Sequence, residues 1–446
     1  MSRKEGSLEA PTRHPIDWQG ADYYDEAKLM AELERVYDIC HGCRRCVSLC
    51  QSFPTLFDLV DESETMEVDG VDKGEYYQVV DHCYLCDLCF MTKCPYVPPH
   101  EWAVDFPHLM LQAKAQKFKK SGARLRDRVL TNTDAMGKFA SSPGVSKMMA
   151  GLGSTEIFRV SLEKTLGVHR DAPLPHYQRP TLEQRAREQV AAIVPTPVGD
   201  TTGKVALFAT CFANYTQAEL ADDFMAVFQH NGIHIEPAEG LLCCGMPKLE
   251  LGDMDTVAAL KAHNIPLLAD LARQGFDLIA PIPSCVLMFK QELPLMYPDD
   301  EDVALVQRAF FDPFEYLWLR HKSGQFNTDF VQPLGSITYQ PACHQRVQNF
   351  GPRTRDILAL VPNSEVHTIE RCSGHNGTYA VKVETHAHSL KIARPVVRHV
   401  ERFKPDHHVS DCPMAASHIG QQRTELGDKP GHAPHPITLL RQAYGL

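Results

Sequence analysis

Apolar residues recur at helical spacing through the first part of the chain, and in short runs separated by amphipathic stretches thereafter. Leu29, Met30, Leu33, Val36 and Tyr37 share one face of a helix expected over residues 24–37, which runs straight into Cys40. A longer helical pattern covers residues 106–130, and helical material with glycine breaks continues over 131–172. The acidic stretch 51–82, with Gly70 and Gly74, reads as a solvated connection, and the proline-rich stretch 173–203 as a linker. Residues 1–24 are polar and read as a tail that orders on contact.

From residue 204 the pattern changes. A strand expected over 205–210 ends at Cys211, one over 233–236 reaches Cys243-Cys244-Gly245 through a short turn, and one over 277–280 ends near Cys285. A helix with Leu220, Phe224, Val227 and Phe228 on one face stops at Asn231-Gly232, and a second covers 257–271. Strands alternating with helices predict a parallel sheet. The plan then recurs: 337–339 leads to Cys343, 365–369 to Cys372-Ser373-Gly374, and 408–410 to Cys412. Matching cysteines are offset by 132, 129 and 127 residues, an internal duplication. Ligands gather at the carboxyl ends of parallel strands, so each half is expected to bring its cysteines to one spot. The predicted fold class is α+β, with a mainly helical module (25–125), a helical segment and linker (126–203), and two duplicated α/β parallel-sheet domains (204–328 and 329–446).

The densest chemistry lies earlier. Cys40, Cys43, Cys46 and Cys50 form one run (C-x2-C-x2-C-x3-C). Cys83, Cys86, Cys89 and Cys94 form another (C-x2-C-x2-C-x4-C), followed by Pro95. Three thiolates at two-residue spacing let one wrapped turn supply adjacent corners of a cubane iron-sulfur cluster, so two runs predict two 4Fe-4S clusters. Zinc sites use separated cysteine pairs, and disulfide frameworks belong to small secreted chains. In bacterial two-cluster ferredoxins the fourth cysteine of each run serves the other cluster. By that likeness one cluster takes Cys40, Cys43, Cys46 and Cys94, and the other Cys83, Cys86, Cys89 and Cys50. Gln51 stands where a proline would follow Cys50, and the second run has one extra residue before Cys94.

Net charge narrows the partners. With 45 Lys and Arg against 56 Asp and Glu, the formal charge of -11 argues against nucleic-acid binding. The start lacks an apolar signal core, and no 18-residue apolar run occurs. A cytoplasmic location is expected, with any attachment to the inner face of a membrane made through a partner. Lys114, Lys117, Lys119, Lys120, Arg124, Arg126 and Arg128 form a basic strip on the 106–130 helix, read either as a docking face for protein or lipid or as an ordinary solvated surface.

Cys211, Cys243-Cys244-Gly245 and Cys285 resemble the cysteine-rich CCG domain, which occurs twice in heterodisulfide reductase subunits. It also occurs in the iron-sulfur subunits of anaerobic glycerol-3-phosphate dehydrogenase and of glycolate or lactate oxidases. A double ferredoxin module followed by two such domains is that family's layout, and the strings Cys372-Ser-Gly-His-Asn-Gly-Thr-Tyr and His435-Pro-Ile-Thr-Leu-Leu resemble its glycerol-3-phosphate dehydrogenase branch. The full family motif C…CC-G…C-x-x-C holds a non-cubane cluster. Here Met288 stands three after Cys285, which leaves Cys211, Cys243, Cys244 and Cys285 as a four-thiolate site. In the second half Ser373 replaces a cysteine and Ala415 stands three after Cys412, which leaves Cys343, Cys372 and Cys412. Three thiolates imply an open iron, an eroded site, or a further donor, for which His344, His375 and Ser373 are candidates; Ser373 reads better as a helix N-cap and Met288 as packing. Cys243-Cys244 could alternatively be a redox disulfide.

No complete nucleotide or flavin fingerprint accompanies these cysteines. Gly199-Asp-Thr-Thr-Gly-Lys204 is one residue short of a P-loop, and Gly151-Leu-Gly153 has no strand before it. The resemblance implies an electron-transfer subunit of an oxidoreductase rather than a self-sufficient enzyme. It would work between a flavin-bearing dehydrogenase partner of the glycerol-3-phosphate, glycolate or lactate type and a downstream acceptor, with one or two further clusters in the CCG domains. Two alternatives remain open: a catalytic, heterodisulfide-reductase-like subunit that reduces a disulfide or small acceptor at the CCG cluster, and a docking scaffold for a rubrerythrin-type partner.

Overall fold

A computed structural model describes residues 6–7, 9–153, 155–425 and 433–446. The first helix, Glu26–Cys43, starts at Asp25, whose side chain accepts the Lys28 N–H at 3.0 Å, and ends at Arg44 in the left-handed region. It buries Leu29, Leu33, Val36 and Tyr37, and its last turns carry both Cys40 and Cys43.

The stretch 51–82 is not a solvated connection. It forms the helices Ser52–Asp61 and Tyr76–Asp81, which bury Phe53, Leu56, Phe57, Val60, Tyr76, Val79 and Val80. Residues 53, 56, 57 and 60 keep helical spacing, and the acidic side chains that suggested a loop occupy the outer faces and turns. The expected 106–130 helix is likewise two. Phe106–Ser121 stops at Gly122, whose φ of +67° suits glycine, and Leu125–Thr131 follows. Its basic strip is largely taken up internally. Lys117 pairs with Asp81 at 2.8 Å, Lys120 with Glu26 at 3.0 Å and Arg126 with Glu384 at 2.6 Å, Lys119 lies over the Tyr24 ring, and Lys114 is buried.

The proline-rich 173–203 stretch holds a short helix, Leu182–Glu188, capped reciprocally by Thr181 and Gln184 and anchored by buried Leu182 and Ala186. The N-terminal segment is a strap. Ser7 N–H donates to Pro95 O (2.7 Å), Thr12 N–H to Pro98 O (3.0 Å) and Ile16 N–H to Leu295 O (2.8 Å), while Trp18 packs edge-on against Tyr297. The contact that orders this tail is with the chain itself.

The duplicated region forms two all-parallel sheets. Strands β1 (Lys204–Leu207), β2 (His234–Pro237), β3 (Asp277–Ile279) and β4 (Phe310–Phe311) lie in the order β2-β1-β3-β4, and β5 (Gly335–Tyr339), β6 (Ser364–Thr368) and β7 (His407–Val409) in the order β6-β5-β7. The α+β class holds. The two-residue β4 has no sequence signature and no counterpart among the described strands of the second sheet. The last helix, Pro436–Tyr444, returns to the first half, where Arg441 pairs with Asp223 at 3.0 Å and Tyr444 donates to Asn327 O at 2.6 Å. Among the described residues no helix is long and apolar enough to cross a membrane.

Candidate metal centres

All fifteen cysteines are free thiols. In the first sheet Leu207 is in register with Pro237 and Ile279, so the three strands end flush and their loops leave from one edge. Cys211 opens the helix Cys211–Thr216, where the Thr210 side chain caps Ala213 N–H at 3.1 Å. Cys243-Cys244 follow β2 and turn at Gly245, whose φ of +102° requires glycine. Asn264 accepts from Leu242 N–H at 2.9 Å and donates to Cys243 O at 3.0 Å, and Asp134 accepts from Cys243 N–H at 2.6 Å.

Cys285 lies in the helix Pro283–Leu287 beyond β3. The Cys211 and Cys243 sulfurs are 3.6 Å apart. Cys243 also shares a hydrogen bond with Cys244, and Cys244 with Cys285, so four thiols stand in one succession. The hydrogen bond from Cys211, then that from Cys244, pulls Cys243 well below the usual thiol range, and the same contact raises Cys211. Met288 is fully buried among apolar side chains.

The second half repeats the plan incompletely. Cys343 opens the helix Cys343–Arg346 beyond β5, and Cys372 follows β6 ahead of Gly374, whose φ is +76°. These two thiols share a hydrogen bond, which together with the Gly374 N–H and Asn376 lowers Cys372 to about 7 against the opposing effect of burial. Burial raises Cys412, beyond β7, to about 11, and its sulfur neighbour is Cys285 of the first half. Ser373 caps no helix; its hydroxyl accepts the His375 N–H at 3.4 Å within the turn. His344 is within 3.1 Å of Leu85 O through Nε2, an interaction between domains. His375 is half-buried, its two ring nitrogens inward and neither partnered, its ring 6.1 Å from that of His418, and desolvation lowers it to about 4.

In the N-terminal module burial raises the Cys40 thiol first, followed by the sulfurs of Cys94, Cys46 and Cys43. Burial raises Cys50 to about 12, with Cys83 its sulfur neighbour, and Cys89 feels Cys86, Cys46, Cys83 and Cys50. Cys94 thus acts on the Cys40 and Cys46 thiols of the first run, and Cys50 on Cys86 and Cys89 of the second. Backbone N–H groups point at these sulfurs: Ser52 and Phe53 at Cys50, Leu85 at Cys83, Leu88 at Cys86, and Tyr96 and Val97 at Cys94. Hydrogen bonds to sulfur are one means by which a protein sets a cluster's potential, so buried thiols under N–H donors suit that cofactor. Among the described residues no three His, Cys, Asp or Glu side chains close on a single point as they would around one ion. A cubane is a larger body, with its thiolates at separate corners.

The groups adjoin one another across the domains. His82 Nδ1 lies 2.7 Å from Tyr379 Oη, Lys382 donates to Tyr84 Oη at 2.7 Å, and the Cys86 thiol is raised by burial and then by Cys372 and Cys50. Gln348 Nε2 bonds Pro283 O at 3.4 Å, joining the Cys343 helix to the Cys285 helix. Sequence reading missed Arg13, which bonds Asp87 (2.7 Å), Asp105 (3.1 Å) and Glu292 (3.4 Å), holding the Cys86–Cys89 loop to the first half. It placed Lys114 in the surface strip, whereas Lys114 is buried and donates to Cys83 O and to Glu250 O. No local pattern marks either residue; both matter through partners that are remote in sequence.

The cysteine-rich CCG domain model matches residues 205–290 and 337–419. The chain is 26% identical over 339 residues to one of the subunits of the anaerobic glycerol-3-phosphate dehydrogenase of Escherichia coli K12, covering 75% of this chain and 81% of that one. It is 25% identical over 191 residues to lactate utilization protein A of Bacillus cytotoxicus, covering 40% and 75%. It is 22% identical over 254 residues to one of the subunits of the CoM/CoB fumarate reductase of Methanothermobacter marburgensis, covering 55% and 48%. With four thiols gathered at the strand ends of one sheet and three cysteines at the corresponding ends of the other, the chain carries the cysteine-rich CCG domain twice, as an iron-sulfur protein of the oxidoreductase class related to these proteins.

Proposed function

We propose that this protein is the electron-transfer subunit of an oxidoreductase complex, working between a flavin-bearing dehydrogenase partner and a downstream acceptor. Cys40, Cys43, Cys46 and Cys94 would hold one 4Fe-4S cluster, and Cys50, Cys83, Cys86 and Cys89 the other. Cys211, Cys243, Cys244 and Cys285 would hold a third centre. Cys343 and Cys372 would form the base of a fourth, with Cys412 between the two halves and His375 as the donor whose nitrogens are free. Bound iron-sulfur clusters accept and release single electrons.

The chain's own residues space these centres, bury them and aim N–H donors at their sulfurs. The observation that carries the reading is the unbroken succession of sulfur groups. Cys46 adds to the effect of burial in raising Cys89, Cys372 in raising Cys86, and Cys285, after Asp411, in raising Cys412. On this succession the second half stands between the N-terminal module and the four-thiol site. A dehydrogenase partner accords with relatives that are subunits of a glycerol-3-phosphate dehydrogenase and a fumarate reductase.

Anaerobic purification with iron and acid-labile sulfide counts, combined with electron paramagnetic resonance of cysteine variants, tests the reading. About eight irons would confine electron transfer to the N-terminal module, whereas about twelve or more require the CCG domains to take part, at four per cubane. The carrier reading expects the isolated chain to exchange electrons with dyes but to turn over no metabolite. Turnover of a disulfide by the isolated chain, lost in Cys343→Ser or Cys372→Ser, would replace it with a catalytic role.

A further inference from the structure

The basic strip expected on the 106–130 helix is largely paired, yet the molecule has another cationic face. The helix Val383–Phe403 buries Ala393, Val396, Val397 and Val400, the three valines in a cluster with Ile369 and Ile419, and turns Lys391, Arg394, Arg398 and Arg402 outward. Among the described residues none of these four cations makes an ion pair or hydrogen bond, and exposed His399 stands beside them. Glu401, the acid nearest them on this helix, is half-buried. Like charges three and four residues apart repel along a helix, so the arrangement costs folding stability that a mixed surface would not. In a chain of net charge -11, four such cations form a local field opposite in sign to the whole.

The placement of the helix matters as much as its charge. Its buried side packs on the Cys372 turn, where a Cβ at Gly374 would meet the Ser389 carbonyl and Ala393. His388, near its start, meets the ring of His82, the neighbour of Cys83. The exposed face is therefore about one helix diameter, roughly 10 Å, from the Cys372 turn.

We propose that this face docks the acidic surface of a one-electron redox protein, which exchanges electrons with the chain at the second-half site. The exchange is one electron at a time. The donor is oxidised by one, the chain is reduced by one, and no bond or proton moves. A protein fits better than a lipid surface, because the helix's apolar side is buried in the domain and Phe403 is the one large apolar side chain exposed beside the cations. The inference rests on the electron-carrier reading.

The test uses the full chain purified without oxygen, with an acidic flavodoxin as probe, and compares wild type with K391E/R394E/R398E/R402E and with the corresponding four glutamine substitutions. The charge reversal is expected to weaken flavodoxin binding by titration calorimetry at least tenfold at low salt, and the glutamine variant by less. Reversal should also slow electron delivery from reduced flavodoxin by a similar factor and flatten its salt dependence. Equal affinities across the three proteins would overturn the proposal. So would retention of wild type on phosphatidylserine vesicles that the reversal abolishes while flavodoxin affinity stays unchanged, which would assign the face to lipid. A small uncharged photoreductant separates the two readings: if it bleaches the chain while flavodoxin binding is indifferent to the substitutions, docking fails and the carrier stands. If it bleaches nothing, the carrier reading fails whatever the binding shows.

Discussion

The two halves of the duplication share a plan and differ in what they keep. The first half has four strands, four thiols linked in succession and a seam to the N-terminal module made of charges: Arg13 and His108 among Asp87, Asp105 and Glu292. The second half has three described strands, two thiols in contact and a seam of rings and largely neutral hydrogen bonds, His82 with Tyr379 and Tyr84 with Thr378, to which the Lys382 ammonium adds a bond to Tyr84. The reduced copy nonetheless reaches the module electrostatically, since Cys372 adds to the effect of burial in raising the Cys86 thiol. Loss of motif residues is thus a poor guide to loss of role, because position in the assembly is inherited from the strand ends and not from the cysteine count.

The largest effects should come from the sulfurs. Cys50→Ser should remove the magnetic signal of the centre that contains Cys83, Cys86 and Cys89, and Cys94→Ser that of the Cys40 centre; paramagnetic resonance that pairs each variant with its own run instead would sink the crossed arrangement. Cys243→Ser against Cys372→Ser then ranks the halves. If the second half is the intermediate station, Cys372→Ser should slow reduction of an intact first-half centre in rapid-freeze experiments, whereas Cys243→Ser should abolish that centre.

The charged seam comes next. Arg13→Ala leaves buried Asp87 without a cation, and Asp105 and Glu292 with His108 alone, and should cost about 3–5 kcal/mol by denaturant titration, as for other broken buried pairs. The neutral seam should tolerate loss better, with Tyr379→Phe costing about 1 kcal/mol, the worth of one hydrogen bond.

The seams should also respond to pH with opposite signs. Burial lowers His108, but Asp105 and then Glu292 outweigh it and raise the imidazole from 6.5 to about 9. Its contribution is full below pH 6.5 and lost as pH rises through 9, worth at most about 3 kcal/mol. Burial, with His388 adding to it, lowers His82 to about 4, so its contribution is full above 6.5 and lost as pH falls toward 4. Melting temperatures of His108→Gln and His82→Gln across pH 4–9 should converge with wild type at opposite ends; parallel curves would refute the contrast.

The smallest difference is between two glycines. Gly245→Ala strains a positive φ but meets only ordinary van der Waals contacts, Met288 Cε nearest at 3.5 Å, and should cost about 1 kcal/mol. Gly374→Ala adds a clash with the Ser389 carbonyl and should cost more, read as a lower denaturation midpoint. Equal midpoints would show that the second-half turn is free to shift.

Cysteine spacing and strand periodicity were enough to foresee both parallel sheets and the duplication, because these are short-range features: a strand's register carries its loop to the sheet edge wherever it lies. The acidic 51–82 stretch misled because its charges fall on the outer faces of helices whose buried side was set by distant partners. The basic 106–130 strip misled for the same reason, since Asp81, Glu26 and Glu384 that neutralise it lie far off in sequence.

What each half meets on the N-terminal module, and where an unpaired cationic face remains, were left to the tertiary structure. Each depends on pairs separated by tens to hundreds of residues, such as His82 with Tyr379 and Arg13 with Glu292. Local periodicity records which side of an element is apolar; only packing decides what that side meets, and with it which charges are satisfied and which stay open to a partner.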